Sequence, residues 1–196
     1  MTDGSSSKGI GRSIRLAGFL AIAVAACGGE AQSRRRGGGR LTAARLYPLK
    51  AGNAWSYDVE IDVPGTPDLL TVRVAEVEGR RVVLLRDNAD SVILEVRRDG
   101  LYWPGKGGYL IKDPIAEGAG WGLRSGSRSR VTSISKTVET AGETFRGCVE
   151  VVLESEEQRV RTVYAPDVGP VEIEEIVRIP DLSYHRTSKL RGYMVE

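Results

Sequence analysis

The feature that most constrains this chain is a two-residue alternation that begins at Trp55. Trp55, Tyr57, Val59, Ile61 and Val63 are apolar, and Ser56, Asp58, Glu60 and Asp62 between them are polar. Successive side chains of a strand point to opposite faces, so the pattern predicts a strand with one buried and one wetted face, as antiparallel sheets commonly have. Pro64 to Asp68 (PGTPD) has turn chemistry. Further strands are expected at about Leu69–Val77, Arg81–Arg86, a segment with Val92, Leu94 and Val96 on one face, Leu101–Trp103 and Tyr109–Lys112. The second half continues with Arg128–Thr140, Glu143–Glu154, Gln158–Ala165, Val171–Ile179 and about Leu190–Val195. Asp99-Gly100 marks a tight hairpin. No strong helical periodicity follows the N-terminal apolar run. The expected fold is therefore all-β, with about ten antiparallel strands in a meander. That number is near the limit of an open twisted sheet, which predicts curling into a half-barrel, a barrel or a sandwich.

Ahead of this domain stands a targeting segment. Lys8, Arg12 and Arg15 precede the apolar run Leu16 to Ala26. As a helix the run would span about 16 Å, roughly half of a bilayer's ~30 Å apolar core, so it reads as a signal peptide and not as a membrane span. Val24-Ala25-Ala26-Cys27 resembles a bacterial lipobox. The resemblance implies cleavage between Ala26 and Cys27 and lipidation of Cys27, whose acyl chains would hold the protein to a membrane. Stable anchoring needs more than one chain, which a diacylated and then N-acylated cysteine supplies. Gly28, and not an Asp, follows the cysteine. By resemblance to Gram-negative lipoproteins, this points to the outer membrane, facing the periplasm.

The expected organisation is a signal peptide over 1–26, the lipidated cysteine and a Gly/Arg-rich tether over 27–45, and one antiparallel domain over 46–196. Gly28 to Arg40 (GGEAQSRRRGGGR) lacks apolar periodicity and reads as a flexible linker of about 20 Å root-mean-square reach. Its arginines are placed either to touch anionic headgroups or simply to solubilise the tether. The formal charge of +2 owes three basic residues and one acidic residue to positions 1–26, so the remainder is neutral. Residues 46–196 carry 20 basic and 24 acidic residues, which is no footprint for nucleic acid. With Cys27 acylated, Cys148 is the one other cysteine, so no disulfide or zinc framework is expected. Cys148 reads as a buried strand residue.

Two stretches echo each other. Pro48, Gly52 and Trp55 have the spacing P-x3-G-x2-W, and so do Pro114, Gly118 and Trp121, 66 residues later. A proline-started turn, a glycine at a sharp bend and a tryptophan entering the core would occur twice, suggesting two similar halves. The run Tyr47 to Tyr57 (YPLKAGNAWSY) also fits the pattern aromatic-Pro-Leu-x-x-Gly-Asn-x-Trp-x-Tyr. Ala141 to Cys148 (AGETFRGC) is similar to an A-G-T-F-x-x-C segment, with Glu143 as an extra residue. Tyr164 to Val171 (YAPDVGPV) is similar to Y-A-P-G-V-G-x-V, with Asp167 in place of glycine. Together these stretches resemble the TapB-like bacterial lipoproteins, a family largely of unknown function, over about Leu46 to Ile179. Pro48, Gly52, Trp55, Tyr57, Phe145, Cys148, Tyr164, Pro166 and Gly169 carry the resemblance, and they look like fold determinants.

Catalytic chemistry finds little footing. His185 is the single histidine, no G-x-S-x-G accompanies it, and it is expected in a loop before the last strand. Gly100 to Lys106 spells G-x4-G-K, but Gly107 stands where a P-loop needs Ser or Thr, and strands flank it on both sides. Glu154, Glu156 and Glu157 fit a solvated hairpin tip, and Glu172 and Glu174 are expected to face solvent. No cofactor, metal or catalytic residue is expected, and the chain is not expected to be an enzyme. The expected role is structural, or interaction with an envelope protein. The alternative is a carrier or sensor of a lipid or other apolar ligand held in a curled sheet, decided by whether Trp55, Tyr57, Val72, Val92 and Val151 fill the interior or line a void.

Overall fold

The computed structural model describes residues 39–62, 69–87, 90–180 and 182–196, with only the backbone of Leu182. Ala26 and Cys27 lie outside the described residues, as do Val63 and the turn after it. The compact unit runs from Gly39 to Glu196. It opens with a single helical turn, α1 (Ala43–Leu46), capped by Thr42, whose Oγ1 accepts from the Arg45 amide. Ala43 and Leu46 are fully buried, so the last residues of the expected tether belong to the folded unit.

Twelve strands follow: β1 (Ala54–Ile61), β2 (Leu69–Glu78), β3 (Arg81–Arg86), β4 (Asp90–Arg97), β5 (Gly100–Trp103), β6 (Gly108–Lys112), β7 (Gly120–Gly122), β8 (Arg128–Glu139), β9 (Thr144–Glu154), β10 (Gln158–Ala165), β11 (Gly169–Ile179) and β12 (Leu182–Met194). All neighbours pair antiparallel in one sheet of order β6-β5-β4-β3-β2-β1-β12-β11-β10-β9-β8-β7. The sheet curls into a nearly closed barrel whose two edge strands, β6 and β7, approach one another. The first and last strands of the chain thus meet in the middle of the sheet, and its edges come from the middle of the sequence.

The expected strands are present, and two features of the wall escape the sequence pattern. β7 is three residues long, too short to display a period. β12 begins at Leu182 and not near Leu190; two inward positions ahead of Leu190 are polar, which hides this part of the strand from the alternation. Arg186 lies opposite inward-facing Ile61 and bonds Glu175 of β11 at 2.6 Å, and Ser188 is buried opposite Val59. Polar residues on both faces erase the alternation, so His185 sits within a strand and not in the expected loop.

The two similar halves are real at the level of hydrogen bonds. β1–β6 and β7–β12 are consecutive six-strand meanders, and each opens with the P-x3-G-x2-W turn. Gly52 has φ +91 and Gly118 has φ +85, a left-handed backbone that favours glycine. Gly52 N donates to Val74 O at 3.0 Å, and Val74 N donates to Asn53 O at 2.8 Å. In the second half Gly118 N donates to Val131 O and Val131 N to Ala119 O, both at 2.8 Å. Trp55 then pairs with Val72 and Trp121 with Ser129, each two residues before the bonded valine.

The core follows the inward register. Trp55, Tyr57, Val74, Val82, Leu94, Leu101, Ile111, Val131, Val149 and Leu190 are almost wholly buried and form one cluster with Leu46 and Tyr47 of the entering chain. Burial of each large apolar side chain is worth about 1.5–3 kcal/mol, which makes this cluster the principal stabilising term.

Candidate functional site

The chain enters the barrel at the end where β1 starts, β12 stops and β10 turns into β11. Nearly all the motif residues converge at this entry end. Trp55 Nε1 donates to Val168 O at 2.7 Å, and the Tyr57 hydroxyl donates to Pro170 O at 3.1 Å. Both acceptors lie in the stretch Tyr164 to Val171, so the first and third motifs bond each other directly. Gly169 explains itself: its φ is +122, and a Cβ there would stand 2.7 Å from Trp55 Nε1. Tyr47 packs edge-on against Trp55, with ring centroids 5.0 Å apart, and lies 6.3 Å from Tyr164. Burial holds the hydroxyls of Tyr47, Tyr57 and Tyr164 protonated, well above the usual tyrosine range.

Around this apolar contact runs a polar collar. Asn53 is buried; its Nδ2 donates to Pro48 O at 2.8 Å, and its Oδ1 accepts from the Glu196 amide at 3.2 Å. Asp167, which replaces the glycine of the resembled segment, has φ +63. A left-handed conformation costs an L-residue roughly 1–2 kcal/mol, less for Asp. Asp167 meets Arg45 of α1 side-on, Nε to Oδ1 at 2.9 Å and the terminal nitrogen to Oδ2 at 2.6 Å, while its amide donates to Arg45 O at 2.7 Å. At the start of α1, Asp113 Oδ1 accepts from the Ala43 amide at 3.0 Å. Pro166 lies within the same turn as Asp167 and makes the bend between β10 and β11.

Phe145 and Cys148 join from β9. Thr144–Cys148 run past the β10–β11 turn, since β9 pairs with β10 only from Val149 onward. This carries Phe145 to within 6.3 Å of Tyr193 of β12, centroid to centroid, and Tyr193 lies opposite Trp55. Between the β8–β9 hairpin and the end of β12 is an open cleft of about 270 Å³, lined by Thr140, Glu143, Phe145, Leu190, Arg191 and Tyr193 among others. The Tyr193 hydroxyl donates to Glu143 Oε2 at 3.2 Å across it. Cys148 is fully buried, and burial pushes its thiol up to about 11, which disfavours the reactive thiolate.

The second copy of the turn lies elsewhere. Pro114 and Gly118 lead into Trp121, whose Nε1 donates to Tyr109 O at 2.7 Å, joining β7 to β6 across the open side of the barrel. Trp121 is only partly buried, whereas Trp55 is wholly so.

On the outer wall is a charged cluster that the sequence hides. Arg161 of β10 is flanked by glutamates from both neighbouring strands. It bonds Glu174 at 2.6 Å and Glu150 at 3.2 Å and also pairs with Glu172. Lys136 pairs with Glu150, and Thr132 Oγ1 donates to it at 2.7 Å. Glu172 and Glu174 do face outward, but Arg161 covers them: their side chains are 15% and 29% exposed, so they are not freely solvated. Burial alone would raise the Glu150 carboxyl, yet the bonds from Lys136, Thr132 and Arg161 hold it below the usual range. Glu174 is held low chiefly by Arg161. The arrangement is a cross-strand ladder of opposite charges, with each carboxylate already engaged.

His185 Nε2 lies 3.1 Å from Glu174 Oε1 at the rim of this cluster, half exposed, and its amide donates to Asp62 Oδ1 at 2.9 Å. Gly100 to Lys106 forms β5 and a 3-10 turn over Pro104–Lys106, a hairpin and not a strand-to-helix phosphate loop. Glu154 ends β9, where it pairs with Arg159 at 3.1 Å, and Glu156 and Glu157 occupy the β9–β10 turn. Among the described residues no group of three or more His, Cys, Asp and Glu is placed to hold a metal ion.

Fold and entry end define the class: an all-β protein built as one twelve-stranded, nearly closed barrel-shaped sheet, locked where the chain enters. No protein-family model and no curated protein matches the chain. Three solved structures are similar. One is a candidate exported protein from Bacteroides fragilis with a YmcC-like fold, 12% identical over 76% of this chain and 98% of that one, with a TM-score of 0.41. Another is a candidate lipoprotein from Parabacteroides distasonis, 12% identical over 79% of this chain and 100% of that one, with a TM-score of 0.44. The third is the hypothetical lipoprotein YmcC from Escherichia coli, 11% identical over 79% of this chain and 90% of that one, with a TM-score of 0.38. At these identities and TM-scores the likeness does not extend to function.

Proposed function

We propose that this chain is a lipid-anchored protein of the bacterial envelope whose barrel serves a structural or protein-interaction role, without turnover. The observation that carries the reading is the filled entry end. Trp55, Tyr57, Val72 and Val151, four of the five positions that decide between a filled and a hollow interior, are buried, and Leu46 and Tyr47 of the entering chain pack against them. A carrier's interior would leave such side chains lining open space. The charged ladder around Arg161 also has its carboxylates engaged with one another's partners, as a wall requires.

The anchor rests on the lipobox-like Val24-Ala25-Ala26-Cys27 and on the resemblance of Tyr47–Tyr57, Ala141–Cys148 and Tyr164–Val171 to the TapB-like lipoproteins. Cleavage before Cys27 and Gly28 at the next position favour an outer-membrane location facing the periplasm. The membrane is then one partner, through acyl chains on Cys27, and an envelope protein the other. Metabolic labelling with a fatty-acid analogue tests the anchor. Incorporation is expected in the natural chain and is lost in Cys27→Ala, which accumulates as uncleaved precursor; equal labelling of both would end the lipoprotein reading. Titration with a fluorescent fatty-acid probe tests the role. No saturable binding is expected, and a saturable, stoichiometric signal would favour the carrier.

A further inference from the structure

The barrel has two joints between its halves, and they are built differently. At one, β1 meets β12 in eight registered pairs, from Ala54↔Met194 to Ile61↔Arg186. At the other, β7 meets β6, the same relationship with the halves exchanged, yet no ladder forms between them. Among the described residues the hydrogen bonds across this seam are Arg124 N to Gly107 O at 3.2 Å and Trp121 Nε1 to Tyr109 O at 2.7 Å. The rest is contact permitted by missing side chains. A Cβ on Gly108 would stand 2.6 Å from Leu123 Cγ, and one on Gly107 2.6 Å from Arg124 Cβ. Behind the seam lie Trp103, Leu110, Ala119 and Trp121, partly buried and packed on the core.

Local opening costs least where few bonds and little burial must be given up. Each hydrogen bond contributes a net of only about 1 kcal/mol, so a two-bond seam separates far more readily than an eight-pair ladder. We infer that the barrel opens laterally at the β6–β7 seam while the rest of the sheet stays paired, with Trp121 as the latch. Such an opening would expose the apolar residues behind the seam and give the barrel a route inward that its filled entry end denies.

Hydrogen exchange of the full chain, followed by nuclear magnetic resonance at increasing low denaturant, tests this. The Arg124 amide and the Trp121 indole N–H are expected to exchange through a local opening nearly independent of denaturant, while amides of the β1–β12 ladder exchange only with global unfolding. In Trp121→Phe, which keeps an aromatic ring but removes the bond, Arg124 exchange is expected to quicken about fivefold, with the β1–β12 amides unchanged; fivefold corresponds to one hydrogen bond of about 1 kcal/mol. Should that variant not fold, the natural chain decides alone. Arg124 and Trp121 exchanging with the same free energy and denaturant slope as the β1–β12 ladder would overturn the inference.

Discussion

The indole of Trp55 bonds the carbonyl of Val168 at 2.7 Å, across 113 residues of sequence. This single contact ties the start of the first half to the β10–β11 turn of the second. It also fixes what the adjacent residues must be, because the indole fills the space where a side chain of residue 169 would go.

Gly169→Ala is therefore expected to be costly. The added Cβ meets Trp55 Nε1 at 2.7 Å on a backbone with φ +122, so overpacking and strain combine. A loss of about 2–4 kcal/mol is expected in urea unfolding. Gly142→Ala, with nothing within 4 Å of the new Cβ, is the control and should change stability by no more than about 0.5 kcal/mol. Equal effects of the two would contradict the assigned packing.

Asp167 tests a compensation. Asp167→Gly relieves the left-handed strain but removes the Arg45 ion pair, whose side chains are 26% and 35% exposed. Strain and a half-exposed pair are each worth about 1 kcal/mol, so the change should be near neutral. Asp167→Ala keeps the strain and loses the pair, and should cost about 1–2 kcal/mol by the same measurement.

The carboxylates around Arg161 set the acid limb of stability. Glu150 and Glu174 are held below their unfolded values, so their contribution is fully present above the unfolded carboxylate range near pH 4 and is lost as pH falls through the lower folded values. Arg161→Met leaves three half-buried glutamates without their shared cation and should cost about 2 kcal/mol at pH 7, a discounted figure for a partly exposed cluster. That deficit should shrink as the pH is lowered toward 4, where the freed carboxyls take up protons. A deficit independent of pH would assign the loss to packing alone.

Cys148 should be inert. Burial pushes its thiol up to about 11, so at pH 8 almost no thiolate exists, and the side chain is fully buried. In a Cys27→Ala background, a thiol-disulfide reagent is expected to label nothing in the native protein and one thiol after unfolding. Rapid native labelling would show a site more open than the packing allows.

The sequence made the fold legible wherever one face was apolar and the other polar. β1 reads clearly because Trp55, Tyr57, Val59 and Ile61 all point inward. β12 does not, because Arg186 and Ser188 also point inward, with Arg186 paired to Glu175 on the neighbouring strand, which no local pattern reveals. The P-x3-G-x2-W echo announced the duplication, since a glycine at positive φ and a tryptophan at fixed spacing are local requirements. What the motifs do together was out of reach: Trp55 and Val168, or Arg45 and Asp167, meet only through the closure of the sheet. The Arg161 ladder was hidden for the same reason, its members being spread over β8 to β11.

Native mass spectrometry of residues 39–196, the compact unit produced without leader or anchor and purified without detergent from cells rich in membrane lipid, tests the central claim that the barrel is filled by its own side chains. The account predicts the bare polypeptide mass, with no adduct that leaves on denaturation. A discrete, stoichiometric added mass that is lost on unfolding would contradict it, showing that the interior holds a ligand and that the protein is a carrier.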